Sequence, residues 1–419
     1  MKKRLSKTLE NTKFSGAPII AVAAKPDQAA EALGITELVD LLSAQAYVPE
    51  RNNAGPFLFA VDHCFSVRGQ GTVMTGTVLQ GSVVLNDNIE IPSMKVVKKV
   101  KSMQMFRHPV SKAMQGDRVG ICVTQFDPKL LERGLVCTPS TIPATLAGIV
   151  SVEKIHYYKG PVASKAKFHI TIGHDTVMGK AQFFGLPTSE DSDANKADRN
   201  SFDFSQEYVF QDELLAVSPS SGNKEDAENS TNVSGNPNYQ YAVLELEKPV
   251  TCPKESLVIG SRLDTDIHLN SCRLAFHGKL LTMMTDKSYA EDILPKVKVF
   301  KTKSRVGEVE RVVDEYSLIG RGLFKKETNI QLFSNLKVRL STGEDGIIEG
   351  SFGQSGKFKV RIPAGLSPDT FNLISASQKK KSKGKGAITS EEQQKTSSVK
   401  IMLDFKRYIF DPEKKMVQT

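Results

Sequence analysis

A chain of 419 residues is too long for one compact core and predicts three or so domains, while 39% hydrophobic and 25% charged residues are the proportions of an ordinary globular chain. No apolar run is long enough for a membrane-spanning helix, and five scattered cysteines (Cys64, Cys122, Cys137, Cys252, Cys272) without a CxxC pair predict reduced thiols instead of a disulfide framework or a zinc site. A net charge of +9 raises the expectation of a polyanionic partner such as RNA, with a merely basic surface as an equal alternative.

Residues 1–50 read as helix, strand, helix. KKRLSKTLENT is a polar helix without a signal-peptide core, APIIAVAAK a short buried strand, and ITELVDLLSAQ a helix with Leu38, Leu41 and Leu42 on one face. One strand and two helices cannot complete a layered sheet, so Ile19, Ile20, Val22 and Leu38 are expected to expose apolar surface. PERNNAG, residues 49–55, is a linker by composition.

From residue 56 the period changes to two. FLFAVDHCF, TVMTGTVLQG and SVVLNDNIEI alternate apolar and polar positions between glycines, the pattern of half-buried antiparallel strands. Gly69 and Gly71 suit a sharp turn, and Gly76 within a strand predicts a bulge or a close backbone approach. Such strands bury one face and lose their edges by closing into a small barrel over residues 56–138. A second barrel is expected over 139–290, interrupted at 186–238 by a Ser-, Asp- and Asn-rich insertion read as largely disordered, in which SFDFSQEYVF packs locally. A third occupies 296–419, with a basic surface loop, QKKKSKGKG and its polar continuation, at 378–397. The fold class is therefore mainly β: three consecutive small β-barrel domains behind an α/β remnant.

GQGTVMTGTVLQG, followed by VKSMQMF and MQGDRVGICV, resembles the second, β-barrel domain of translational GTPases of the elongation factor Tu type. AVDHCFSVRGQGTVMTGTV with MQGDRVGICVTQFDPKLLERGLVC narrows the resemblance to the selenocysteine-specific branch of eukaryotes, and it runs along nearly the whole chain. The resemblance implies delivery of selenocysteinyl-tRNA to the ribosome at UGA codons. It also implies coupling to the selenocysteine insertion RNA element and its binding protein, GTP and Mg²⁺ in the full-length family, and a cytoplasmic location. Residues 1–50 then resemble the end of a GTP-binding domain, and Ala23, Ala24 and Lys25 its last guanine-contacting motif. P-loop, DxxG and NKxD elements are not found ahead of these residues, so tight GTP binding and GTPase activity are not expected of this chain. An RNA-binding adaptor that acts through the last domain alone is the alternative.

By resemblance, Asp62, His63 and Arg118 line the aminoacyl pocket. The chemistry fits: a selenol is more acidic than a thiol, so cations at residues 63 and 118 favour its anion over neutral serine, and Asp62 keeps them paired when the site is empty. The structural alternative is an ordinary barrel salt bridge between Asp62 and Arg118 with His63 on the surface. For RNA, the candidates are Lys98, Lys99 and Lys101 in the first barrel. In the third they are Arg321, Lys325, Lys326, Lys357, Lys359, Arg361, Lys406 and Arg407, set beside Gly turns and aromatics. QKKKSKGKG reads first as a solvated loop, then as an RNA contact or a nuclear import signal. No metal ligands and no catalytic residue are expected.

Overall fold

A computed structural model describes residues 1–10, 12–25, 32–187, 201–216, 239–266, 268, 271–353, 356–383, 399–413 and 416–418, with side chains in the last helix described as far as 375. Two helices, α1 (Lys2–Leu9) and α2 (Ile35–Gln45), precede the barrels. APIIAVAAK does not form the expected strand: it makes a single bridge, Ala23 to Leu33, and α2 buries no residue. The reason is cooperative. Strand pairing needs neighbours, and among the described residues only the short stretch at Leu33 and Gly34 lies alongside. Val22 and Leu42 are accordingly exposed.

The first barrel contains β1 (Leu58–Val67), β2 (Gly71–Gln80), β3 (Ser82–Val84), β4 (Asn88–Ile91), β5 (Val96–Met105), β6 (His108–Val110), β7 (Lys112–Met114), β8 (Arg118–Val123) and β9 (Gly134–Cys137). Six of them close a ring in the order β4-β9-β1-β2-β8-β5, with β5 returning to β4. Thr72, Met74, Gly76 and Val78 face the interior from β2, where Phe59, Val61, Ile89, Val100 and Ile121 are buried with them. The second barrel is built from β10 (Ala144–Lys154), β11 (Lys167–Ile172), β12 (Asp175–Gly185), β13 (Tyr208–Gln211), β14 (Gln240–Thr251), β15 (Leu257–Ser261) and β16 (Leu274–Met284). Its ring, β11-β15-β16-β10-β14-β12, closes around an edge-to-face triad of Phe168, Phe183 and Phe276.

After a short helix, α3 (Tyr289–Asp292), the third barrel uses β17 (Val299–Asp314), β18 (Ser317–Arg321), β19 (Lys337–Leu340), β20 (Asp345–Phe352), β21 (Lys357–Arg361), β22 (Lys400–Tyr408) and β23 (Met416–Val417). The ring β17-β18-β21-β20-β19-β22 closes on itself. Before β22 runs α4 (Pro368–Lys383), so residues 378–383 of the expected basic loop belong to a helix; 384–398 lie outside the described residues.

The insertion differs most from expectation. Residues 188–200 and 217–238 lie outside the described residues, but 201–216 form an ordered bridge between two barrels. On one side β13 pairs antiparallel with β12, and on the other it pairs parallel with β17, through Tyr208 to Val299 and Val209 to Phe300. Phe184, Tyr208, Tyr241, Leu294, Val297 and Val299 make a buried cluster across the junction, with Phe202 and Phe204 packed against it. Glu207 accepts a hydrogen bond from Lys406 Nζ at 2.8 Å and another from the Tyr408 hydroxyl. Apolar burial on this scale outweighs the ordering entropy that composition alone assigns to the segment.

Candidate aminoacyl and RNA-binding sites

The outer face of the first barrel is assembled by a bulge. Val61 pairs with Gly76 and His63 with Thr75, so Asp62 is an extra residue in β1 with no partner in β2. Gly76 permits this. A Cβ added there would lie 1.9 Å from the carbonyl oxygen of Ala60 and 3.0 Å from the Phe59 ring, so no other residue fits without moving β1. The bulge re-aims Asp62 across β2 towards β8, where Arg118 stands opposite Thr77. Arg118 Nη1 lies 2.7 Å from Asp62 Oδ2, and its longer contact with Thr77 Oγ1 is 3.5 Å. The side chains keep 61% and 36% of their exposure, so the pair faces solvent, yet Oδ2 itself is shielded. That oxygen contacts the guanidinium by charge at 2.7 Å without meeting the geometry of a hydrogen bond.

The turn that presents Arg118 is locked from behind. Asp117 accepts the Met114 N–H at 2.9 Å and the Arg51 Nη1 donor at 2.6 Å, while Gln115 accepts the Asn52 N–H. The linker is thus tied to the Gly116-Asp117-Arg118 turn. His63 is exposed one position beyond the bulge. Cys64, next along β1, packs on the core, and burial followed by the charge of Asp127 pushes its thiol up to about 11, so it places no anion beside the pocket near neutrality.

Beside the pair lies an open groove of about 610 Å³, lined among others by Val67, Val73, Gln104, Phe106, Cys122 and Arg118. Arg118 lines this groove; Asp62 and His63 do not, and Asp62 reaches it through Arg118. Phe106 and Arg107 form the two-residue connection between β5 and β6 with φ of 48° and 69°, in a turn where Asn-Gly is usual. Non-glycine residues held at positive φ store strain, and here they hold Phe106 at 86% exposure over the groove.

The RNA candidates separate by partner. Lys98 donates to the Gln125 carbonyl at 2.5 Å and Lys101 to the Gln70 carbonyl at 2.8 Å, so both fasten loops, while Lys99 is exposed. In the third barrel Arg321 pairs with Glu308, Lys357 with Glu310, Lys359 and Arg361 with Glu349, and Lys406 with Glu207. Lys325 and Lys326 are exposed, and Arg407 adjoins Lys303. Sequence reasoning passed over Lys301, Lys303 and Arg305, although the period-two pattern of VFKTKSRVG places them on one strand face.

Ala23, Ala24 and Lys25 lie on a partly exposed segment held by one bridge, Ala23 to Leu33. Among the described residues no group of His, Cys, Asp or Glu could hold a metal ion.

Comparison with known proteins agrees along the chain. Residues 71–138 match elongation factor Tu domain 2; residues 149–278 match the third domain of eukaryotic selenocysteine-specific elongation factors; residues 295–414 match the eEFSec C-terminal RIFT domain. The Mus musculus selenocysteine-specific elongation factor is 56% identical over 436 residues, covering all of this chain and 74% of its own length. A counterpart from Methanocaldococcus jannaschii is 39% identical over 119 residues, 28% of this chain and 25% of that protein. Crystal structures of the elongation factor SelB from Methanococcus maripaludis share the fold. The apo form has a TM-score of 0.59 at 21% identity, covering 97% of this chain and 73% of its own. The complex with the GTP analogue GppNHp has 0.61 at 22%, covering 97% and 74%. Identity of that extent over the whole chain, with three successive barrels each matching in order, means that the chain belongs to the eukaryotic selenocysteine-specific elongation factors and serves selenocysteine incorporation.

Proposed function

We propose that the outer face of the first barrel receives the aminoacylated end of selenocysteinyl-tRNA for delivery to the ribosome, with Asp62, His63 and Arg118 reading the side chain. The observation that supports this best is the solvent-facing Asp62–Arg118 pair at the edge of the groove. The amino acid is esterified to the terminal ribose, so its pocket has to adjoin one for the terminal nucleoside. The groove offers that, with an apolar floor from Val67, Val73 and Cys122 and the Gln104 amide at its side. A selenolate brings the charge that lets Arg118 give up part of its contact with Asp62, and the shielded Oδ2 then accepts a hydrogen bond from the substrate's α-amino group. Serine brings no charge, so Arg118 loses its partner without gaining one. Discrimination comes from that uncompensated charge.

The test compares protection of selenocysteinyl-tRNA and seryl-tRNA against spontaneous deacylation by the full chain and by Arg118→Met. Retained preference for the selenocysteine form in the variant would defeat the assignment. GTP and Mg²⁺ belong to the full-length family in this reading. Weak GTP binding by the chain alone is part of this reading, and a submicromolar affinity in a nucleotide titration would overturn it. The ribosome, the insertion RNA element and its binding protein are the proposed partners, and the cytoplasm the proposed location, with QKKKSKGKG as the segment to delete in testing nuclear import.

A further inference from the structure

The linker ahead of the first barrel does more than span a gap, because Arg51 and Asn52 both reach the turn from Met114 to Asp117. That turn closes with the Asp117 N–H donating to the Met114 carbonyl at 2.9 Å. It is stitched to β2 by the Gly116 N–H on the Val78 carbonyl at 2.8 Å and the Val78 N–H on the Asp117 carbonyl at 2.9 Å. Gly116 sits at a φ of 85°, and a Cβ there would lie 3.1 Å from Arg51 Nε, so the bare turn lets the guanidinium rest against it. Arg118 begins β8 directly afterwards, opposite Thr77.

Charge gives this contact its consequence. The Asp117 side chain keeps only 14% of its exposure, and its two oxygens are divided. Oδ2 accepts the Met114 N–H at 2.9 Å, and Oδ1 accepts the Arg51 Nη1 donor at 2.6 Å. Asp62, on the other side of Arg118, holds that guanidinium at 2.7 Å. Two arginines and two carboxylates therefore sort into two neutral pairs. Without Arg51, Asp117 would be an uncompensated charge one residue from Arg118, well inside the screening length of about 8 Å at physiological salt. Such a charge draws the Arg118 guanidinium away from Asp62 and repels an anion brought to it.

We propose that Arg51 is a positioning residue for the selenocysteine pocket: by neutralising Asp117 it leaves Arg118 to Asp62 and to the incoming selenolate. Preference for an anion over neutral serine then depends on a residue that touches neither, and the path of the linker is coupled to the charge of the pocket. The inference rests on the assignment of Asp62, His63 and Arg118 to that pocket. Folding does not require Arg51, since its side chain keeps 38% of its exposure and a partly exposed pair adds little stability.

The experiment measures protection of selenocysteinyl-tRNA and seryl-tRNA by the full chain, by Arg51→Met, by Arg51→Lys, and by Arg51→Met combined with Asp117→Asn. Arg51→Met is expected to lower the preference by about threefold to tenfold, through the selenocysteine form, with an unfolding temperature within a few degrees of the parent. Raising the salt concentration should shrink that deficit, because the stray carboxylate is then screened. Arg51→Lys keeps the charge and should retain most of the preference. Asp117→Asn removes the stray charge while still offering an oxygen to the Met114 N–H, so the double variant should return to within about twofold of the parent. An unchanged preference in Arg51→Met overturns the proposal. So does a loss that the double variant fails to restore, which would make Arg51 a mechanical anchor for the linker. Arg118→Met separates this role from the pocket itself. If that variant loses the preference and Arg51→Met does not, only the role of Arg51 falls; if it keeps the preference, the pocket assignment falls and this role with it.

Discussion

Gly76→Ala is the substitution that most directly tests how the fold makes the site. The new methyl would start 1.9 Å from the Ala60 oxygen, so β1 has to move away from β2 by roughly 1.5 Å to reach ordinary contact. Strands sit only about 4.8 Å apart, and such an opening costs the hydrogen bonds flanking the bulge, about 1 kcal/mol each. Crowding of the Phe59 ring adds about 1–3 kcal/mol, and the usual benefit of replacing glycine, about 0.4–1 kcal/mol, subtracts from the total. The net loss is about 2–4 kcal/mol, which lowers the unfolding temperature of a barrel of about 80 residues on the order of 15 °C. Gly120→Ala is the stability control, because its methyl meets nothing nearer than Val73 at 3.5 Å and is expected within about 3 °C of the parent. Differential scanning calorimetry of both chains measures this, and tRNA protection measures whether Asp62 still reaches Arg118. A Gly76→Ala chain as stable as the control, with selenocysteine preference intact, would refute the link between this glycine and the bulge.

Other outcomes follow from the same geometry. Arg118→Met removes a solvent-facing pair worth about 0–1 kcal/mol, so its unfolding temperature should drop by at most a few degrees even as discrimination is lost; a large drop would mark the pair as structural. Glu344 is raised by burial, but bonds from Thr342, Thr370 and Ser367 outweigh that and hold it at about 2. Its stabilisation is present above the ordinary glutamate range and is lost as pH falls from about 4.5 towards 2, so hydrogen exchange at the start of α4 should accelerate there, and Glu344→Gln should abolish the dependence. Tyr208→Phe deletes the hydrogen bond to the Asp203 carbonyl, 2.9 Å, and should cost about 1 kcal/mol in urea unfolding of the joined barrels. Asp117→Ala frees both the Met114 amide and Arg51, and should weaken selenocysteine preference, though residue 118 is unchanged, with tRNA protection as the readout.

Local chemistry carried the first barrel and much of its site into the sequence. The period-two runs around residues 57–91 and the misplaced Gly76 announced strands and a bulge, because sterics at one glycine operate over a few residues. Which residue the bulge ejects, and that it lands on Arg118, depends on register with β8 and could not be read locally. The long-range parts were less visible. APIIAVAAK has the composition of a strand, but a strand requires a partner. The bridging segment around Tyr208 hid for the opposite reason: it sits between polar, low-complexity stretches, while its partner, Val299, lies far along the chain. In the third barrel the sequence shows the cations but not which carboxylates the fold sets beside them. Glu308, Glu310 and Glu349 pair with four of the eight cations that sequence singled out there, whereas the repeating pattern from Lys301 to Arg305 went unremarked.

The parallel pairing of Tyr208 and Val209 with Val299 and Phe300 also decides how the molecule can be taken apart. A fragment beginning at residue 296 would lack the neighbour that covers the first residues of β17, and one ending near 285 would leave Phe202 and Tyr208 wet. The smallest piece that keeps both sides of this junction covered therefore spans both later barrels.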